Sequence, residues 1–157
     1  VVELTLALAR EMLAAAGIDD VDPAERLRDG SAMDRWRSMI AAQGGDPDAP
    51  LPTATHTETL YADADGVLAE LDALAVGKAA WRLGAGREHQ GQAVQPGAGV
   101  ELHAVVGDTV RKGQPVATLH TDTPGRFPAA LGALRGGLSV SETAPPPRPL
   151  IVERITP

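Results

Sequence analysis

At 157 residues and 43% hydrophobic content, the chain fits one domain of ordinary size, or a small domain with a helical appendage, and can build a core. Its formal charge of -7 and pI near 5.0 argue against a general nucleic-acid or anionic-membrane surface, since either needs a positive patch to displace counterions. Without cysteine there is no disulfide framework, thiolate nucleophile or cysteine-type zinc site. No apolar run of about 18 residues and no basic-then-apolar leader is present, so neither membrane spanning nor secretion is indicated, and a cytoplasmic protein is expected.

The chain opens inside a helix. Val1, Leu4, Leu8, Met12 and Ala15 form one stripe and Val2, Leu6, Ala9, Leu13 and Ala16 the next, so neighbours are expected on more than one side. Gly17 is placed for a left-handed C-cap. Asp22 then caps a short second helix with Pro23 at its first position, Glu25 where a capping-box acid would stand, and Gly30 as its stop. Ser31 begins a third helix, with Ala32, Met33, Trp36, Met39 and Ile40 on one face, ending at Gln43-Gly44-Gly45. Three helices in about 45 residues bury too little surface for Trp36 and the first helix, so more of the protein is expected upstream of Val1.

Asp46 to Pro52 cannot continue a helix and reads as a semi-rigid connector. Thr53 to Tyr61 and Val67 to Leu71, joined by the turn Asp63-Ala64-Asp65-Gly66, are expected to form a hairpin. Ala73 to Leu83 reads as a helix in which Gly77 permits close packing on the sheet, ending at Gly84-Ala85-Gly86. Gly99 to Val106, Thr109-Val110 and Pro115 to His120, separated by Gly107-Asp108 and Lys112-Gly113, are expected to form a three-part meander. Pro128 to Arg135 is a further helix and Leu138 to Ser141 a strand. Ala144 to Pro149 is a polyproline-like strap, and Leu150 to Ile155 a closing strand.

Four segments carry a resemblance over nearly the whole chain: Val2 to Leu8, Met39 to Asp46, Leu83-Gly84-Ala85-Gly86-Arg87, and Val106 to Val110. In this order they resemble the C-terminal third of the thymidine and pyrimidine-nucleoside phosphorylases. The resemblance implies a larger two-domain homodimeric pentosyltransferase of nucleoside salvage. In it phosphate attacks C1′ of a pyrimidine nucleoside and releases base and pentose 1-phosphate. It implies an α+β fold divided into a helical segment of the α/β domain, 1–46, a connector, 47–58, and a C-terminal subdomain, 59–157, built as a half-barrel resembling biotin and lipoyl carriers. In that family the phosphate loop, the catalytic histidine, the base-gripping residues and the alkali-cation ligands all precede the stretch that this chain matches. No catalytic, substrate-binding or metal residue and no cofactor is therefore assigned here, and the chain alone is expected to be inactive. Gln92 and Gln95 stand where the family usually has acidic residues.

The residues themselves leave other readings. His56, His89, His103 and His120 could supply zinc ligands, but no His-x-x-x-His pair is present and surface or packed histidines are the commoner outcome. Gly84 to Arg87 invites a phosphate-cradle reading, yet these glycines follow a helix instead of opening one, so a C-cap is expected. Lys78 and Lys112 do not lie in a carrier-type attachment hairpin, which weighs against a stand-alone carrier, while an interaction module without catalysis stays open as the alternative function. Gly84 to Pro96, polar and without period, is either a tethered surface loop or a segment that orders over a cleft when substrates bind.

Overall fold

The computed structural model describes residues 1–147 and 149–155, and the chain divides into two compact units. One comprises Val1–Pro50 with the described tail, 149–155; the other is Leu51–Pro147.

The first unit holds α1 (Val2–Ala15), α2 (Pro23–Arg28) and α3 (Ser31–Ala42). Its helix ends follow from local chemistry. Gly17 takes φ +68, and the Gly17 and Ile18 N–H groups donate to the Ala14 and Leu13 carbonyls, a Schellman closure. Gly44, at φ +79, closes α3 in the same way, with Gly44 and Gly45 donating to Ala41 and Ile40. Asp22 Oδ1 accepts the Ala24 N–H at 3.0 Å. The reciprocal capping-box bond from the Glu25 side chain is not among the hydrogen bonds of the described residues; Arg10 at 3.4 Å and Arg28 at 3.7 Å flank Asp22 instead. Nor does Ser31 cap α3 itself. Asp29 accepts both its N–H at 2.9 Å and its hydroxyl at 2.7 Å, so the capping carboxylate sits two residues upstream.

These helices pack in sequence, α1 on α2 and α2 on α3, yet none of them contains a fully buried residue. Met12 is 68% exposed and Trp36 44%, which agrees with the expectation that so short a helical segment cannot cover its own apolar faces. The closing strand expected over Leu150 to Ile155 is not formed. A strand needs a neighbour to take its N–H and C=O groups, and here the tail is fixed by a side chain, Arg154 pairing with Glu11 at 2.8 Å. Of the expected strap, Ala144 to Pro147 has no regular structure, and position 148, like 156 and 157, lies outside the described residues.

The second unit contains two open three-stranded antiparallel sheets and two main helices. Its elements are β1 (His56–Tyr61), β2 (Gly66–Leu71), α4 (Ala73–Ala80), β3 (Gly99–Leu102), β4 (Thr109–Val110), β5 (Pro115–Thr121), α5 (Phe127–Arg135) and β6 (Leu138–Ser141). The strand orders are β1-β5-β3 and β4-β2-β6. The class is α+β as expected, but two expected pairings are not made. β1 and β2 do not form a hairpin: β1 pairs with β5, His56 opposite Thr121, while β2 pairs with β4 and β6. The three strands after Gly99 are not a meander either, since β3 and β5 lie in one sheet and β4 in the other.

The reason is that each glycine turn hands the chain from one sheet to the other. At Gly107-Asp108 the backbone groups are taken by β2, with Gly107 N–H donating to the Leu68 carbonyl and Leu68 N–H to that of Asp108. At Lys112-Gly113, Gly113 N–H donates to the Ala62 carbonyl and the Lys112 N–H to Asp65. These are corners, and a corner uses the same turn residues as a hairpin.

Leu60, Leu68, Leu83, Val110, Leu119 and Leu134 are among the residues that fill the core of this unit, where α4 packs on α5 and β3, and α5 on β6. α4 is shorter than expected. Asp72 accepts the Ala75 N–H at 2.6 Å to start it, and after Ala80 the helix widens into one π turn, Trp81–Ala85, in which Gly84 takes φ +112. Gly77 does not serve close packing, since a Cβ there would meet nothing within 4 Å. That role falls to Gly137, where a Cβ would lie 2.3 Å from the Ala75 Cβ, and to Gly66, where it would lie 2.5 Å from the Ser141 carbonyl oxygen.

Gly66→Ala pushes β2 off β6 against backbone that cannot step aside, and should destabilise the second unit by about 1–3 kcal/mol in urea denaturation. Separately, the Ala24 N–H, with Arg10 and Arg28 beside it, holds the Asp22 carboxyl below its ordinary 3.8, and the hydroxyl and N–H of Ser31 do the same for Asp29. The unfolded chain therefore binds more protons than the folded one as the medium turns acidic. The stabilisation is fully present above the ordinary carboxylate value and is lost as pH falls through the lowered ones. Far-UV circular dichroism should show the Asp22→Asn, Asp29→Asn double variant keeping its helices at neutral pH, because asparagine also caps, while losing part of the acid transition.

Candidate functional site

The segment from the end of α4 to the start of β3 holds most of the polar groups that the sequence singles out. Its foundation is Thr121, the last residue of β5 and, among the described residues, the one fully buried polar side chain. The Thr121 hydroxyl donates to the Leu83 carbonyl at 2.7 Å, a group that the π turn leaves without a helical partner, and lies 3.0 Å from Gln95 Oε1. Gln95 in turn bridges the corner after β5. Its Oε1 accepts the Asp122 N–H at 2.7 Å, its Nε2 donates to the Thr123 hydroxyl at 2.9 Å, and its own N–H donates to the Gly84 carbonyl at 2.9 Å. The Asp122 N–H fixes which end of the amide carries the oxygen, because a flipped amide would set two donors face to face.

Two glycines make this junction possible. A Cβ on Gly84 would sit 2.9 Å from Gln95 Cδ, and at φ +112 the backbone itself disfavours any side chain. At Gly97 a Cβ would strike the Ala54 nitrogen at 2.5 Å, so the segment's far end lies flush on the chain entering β1. That entering chain is tied to the same corner by Asp122 Oδ1, which accepts the Thr55 N–H at 2.9 Å. At the near end the Trp81 indole covers Gly86, and its Nε1 donates to the Arg87 carbonyl at 3.0 Å.

Gln92 and Gln95 therefore both hold structure, Gln92 by accepting the Glu88 N–H at 2.7 Å. Sequence reasoning singled out both positions without finding what they bind. Thr121 and Trp81 it missed; a threonine closing the strand Pro115–Thr121 was the available signal for the first. Gly84 to Arg87 has the geometry of a helix C-terminus, where carbonyls converge and an anion is disfavoured. The Arg87 guanidinium is exposed and makes no hydrogen bond or ion pair among those of the described residues. Arg82, by contrast, is committed to the Ala129 carbonyl at 2.8 Å.

The histidines are not brought together. His103 bonds the Thr118 hydroxyl at 2.7 Å, His120 lies 3.6 Å from Glu101, His89 faces the Gln90 carbonyl, and His56 opens β1. Among the described residues no group of three or more His, Asp or Glu could hold a metal ion, and no helix is long and apolar enough to cross a membrane.

Residues 67–141, from β2 through β6, match the family described as the pyrimidine nucleoside phosphorylase C-terminal domain. That stretch carries a domain of this family, and the chain as a whole matches the C-terminal region of a thymidine phosphorylase. It is 56% identical, over 155 residues and 99% of its length, to thymidine phosphorylase from two strains of Mycobacterium tuberculosis. It is 37% identical over 126 residues, 78% of its length, to AMP phosphorylase of Natronomonas pharaonis. The chain spans 36% of the length of the first two relatives and 23% of the third.

The Gln95 junction can be tested directly. Gln95→Leu removes an acceptor from the Asp122 N–H and a partner from Thr121, and should cost about 1–3 kcal/mol in urea denaturation. Gln95→Glu keeps the acceptor, and the Thr123 hydroxyl can turn to donate to it. Its cost should therefore be the smaller of the two.

Proposed function

We propose that this chain acts as the C-terminal part of a thymidine or pyrimidine-nucleoside phosphorylase, which converts a pyrimidine nucleoside and phosphate into base and pentose 1-phosphate. The observation that carries the reading is the 56% identity to thymidine phosphorylase along 99% of the chain. Within the enzyme these residues serve as scaffold, and the segment 84–96 as a lid, with phosphate a co-substrate and no resident cofactor in this part. The chemistry belongs to the part of the relatives that this chain does not span. We also assign the enzyme to the cytoplasm, a reading supported by this chain's lack of cysteine, and take it as a homodimer from the family resemblance alone.

The scaffold role has separate support. Relatives named for thymidine and for AMP share this stretch at 56% and 37% identity. A segment common to proteins named for such different substrates is poorly suited to choosing the base. Its best-determined polar groups, Thr121 and Gln95, also face one another and not an open cavity.

A phosphorolysis assay tests the proposal. The 157-residue chain alone should leave thymidine and uridine unchanged in phosphate. A chimera joining it to the remaining N-terminal portion of the Mycobacterium tuberculosis thymidine phosphorylase should release thymine. Turnover by the chain alone, or a folded chimera without activity, would overturn the assignment. For the lid, trypsin cleavage after Arg87 in the chimera should slow when phosphate and thymidine are both present; an unchanged rate removes that role.

A further inference from the structure

The lid reading says that a segment moves; its hydrogen bonds say how. Between Arg87 and Gln95 every hydrogen bond found is internal to the segment: the Glu88 N–H to Gln92 Oε1, the Gln92 N–H to the His89 carbonyl, and the His89 ring to the Gln90 carbonyl. The hydrogen bonds of the tip, 88–94, thus run only within it among the described residues. It stands on two posts of unequal strength. The post at its C-terminal side is Gln95, bonded at once to Gly84, Asp122 and Thr123 and in contact with the buried Thr121 hydroxyl. Gly97, wedged on the backbone of Thr53 and Ala54, reinforces it. The post at the N-terminal side is a single bond, from the 42%-exposed Trp81 indole to the Arg87 carbonyl, with the ring laid over Gly86.

A structure held by one partly hydrated bond at one end and by several at the other opens at the weaker end first. We infer that residues 88–94 loosen about a fixed Gln95 post, and that the Trp81 indole is the catch whose release from the Arg87 carbonyl frees them. This rests on the segment being a lid for its use in the enzyme, but the catch itself is a property of the free chain.

Native-state amide exchange on the 157-residue chain, without any substrate, tests it. Trp81→Phe keeps an aromatic ring over Gly86 and removes only the N–H donor. It should speed exchange at the Glu88 and Gln92 amides, the hydrogen-bonded amides of the tip, by about threefold to tenfold, the effect of one net hydrogen bond, and leave the Asp122 and Thr123 amides unchanged. Gly86→Ala, whose Cβ would meet Trp81 Cδ1 at 2.5 Å, should displace the ring and give the same pattern. Gln95→Ala should speed exchange in the tip and at Asp122 together. Unaltered tip exchange in Trp81→Phe, or equal acceleration at Asp122, would overturn the catch. Because no substrate is present, either result is independent of whether phosphate and thymidine protect Arg87 in the chimera, which decides the lid role alone.

Discussion

The second unit depends on how one buried hydroxyl is satisfied. Thr121 ends the central strand of its sheet with no access to water, so its donor and acceptor capacity must be met by protein. The Leu83 carbonyl takes its proton, the Thr123 N–H donates to its oxygen at 3.2 Å, and Gln95 closes over it. An orphaned group of this kind costs about 1–3 kcal/mol, a sizeable share of a small domain's stability. The π turn after α4, the left-handed Gly84 and the path of the segment to β3 are the geometry that brings these partners within reach.

From that junction the sheets acquire their arrangement. With β5 fixed at its end, β1 and β3 pair on either side of it, and the short β4 is drawn into the other sheet by bonds to β2. The corners at Gly107 and Gly113 give the chain two passages between sheets, and the core leucines lie between them and the helices. Atoms too close for a Cβ, the Ser141 carbonyl at Gly66 and the Ala75 side chain at Gly137, set the distance between neighbouring elements, so the packing is specified by glycines as much as by leucines.

This architecture suits a part that supports chemistry done elsewhere. Its titratable groups are exposed or spent on caps, its histidines are spread over separate partners, and its one cluster of buried polar contacts is self-contained. Its one long polar segment is held between the Trp81 bond to Arg87 and the Gln95 junction.

The sequence by itself determined the ends of α1, α2 and α3, most element types and the kinship; the end of α4 and the unformed closing strand over Leu150 to Ile155 escaped it. Gly17, Asp22, Pro23 and Gly44 act on backbone groups within a few residues of themselves, so their roles are legible without knowing the fold. The strand segments expected over 53–61, 67–71, 115–120 and 138–141 were legible for the same reason, as runs between turns, and lie within a few residues of the strands observed. Only the tertiary structure decided which strand pairs with which. A glycine turn that reverses a hairpin and one that passes the chain to another sheet share a composition, and the difference lies in distant carbonyls, those of Leu68 and Ala62. The same holds for Gln95 and Thr121, 26 residues apart, whose meaning exists only once the chain has brought them to 3.0 Å.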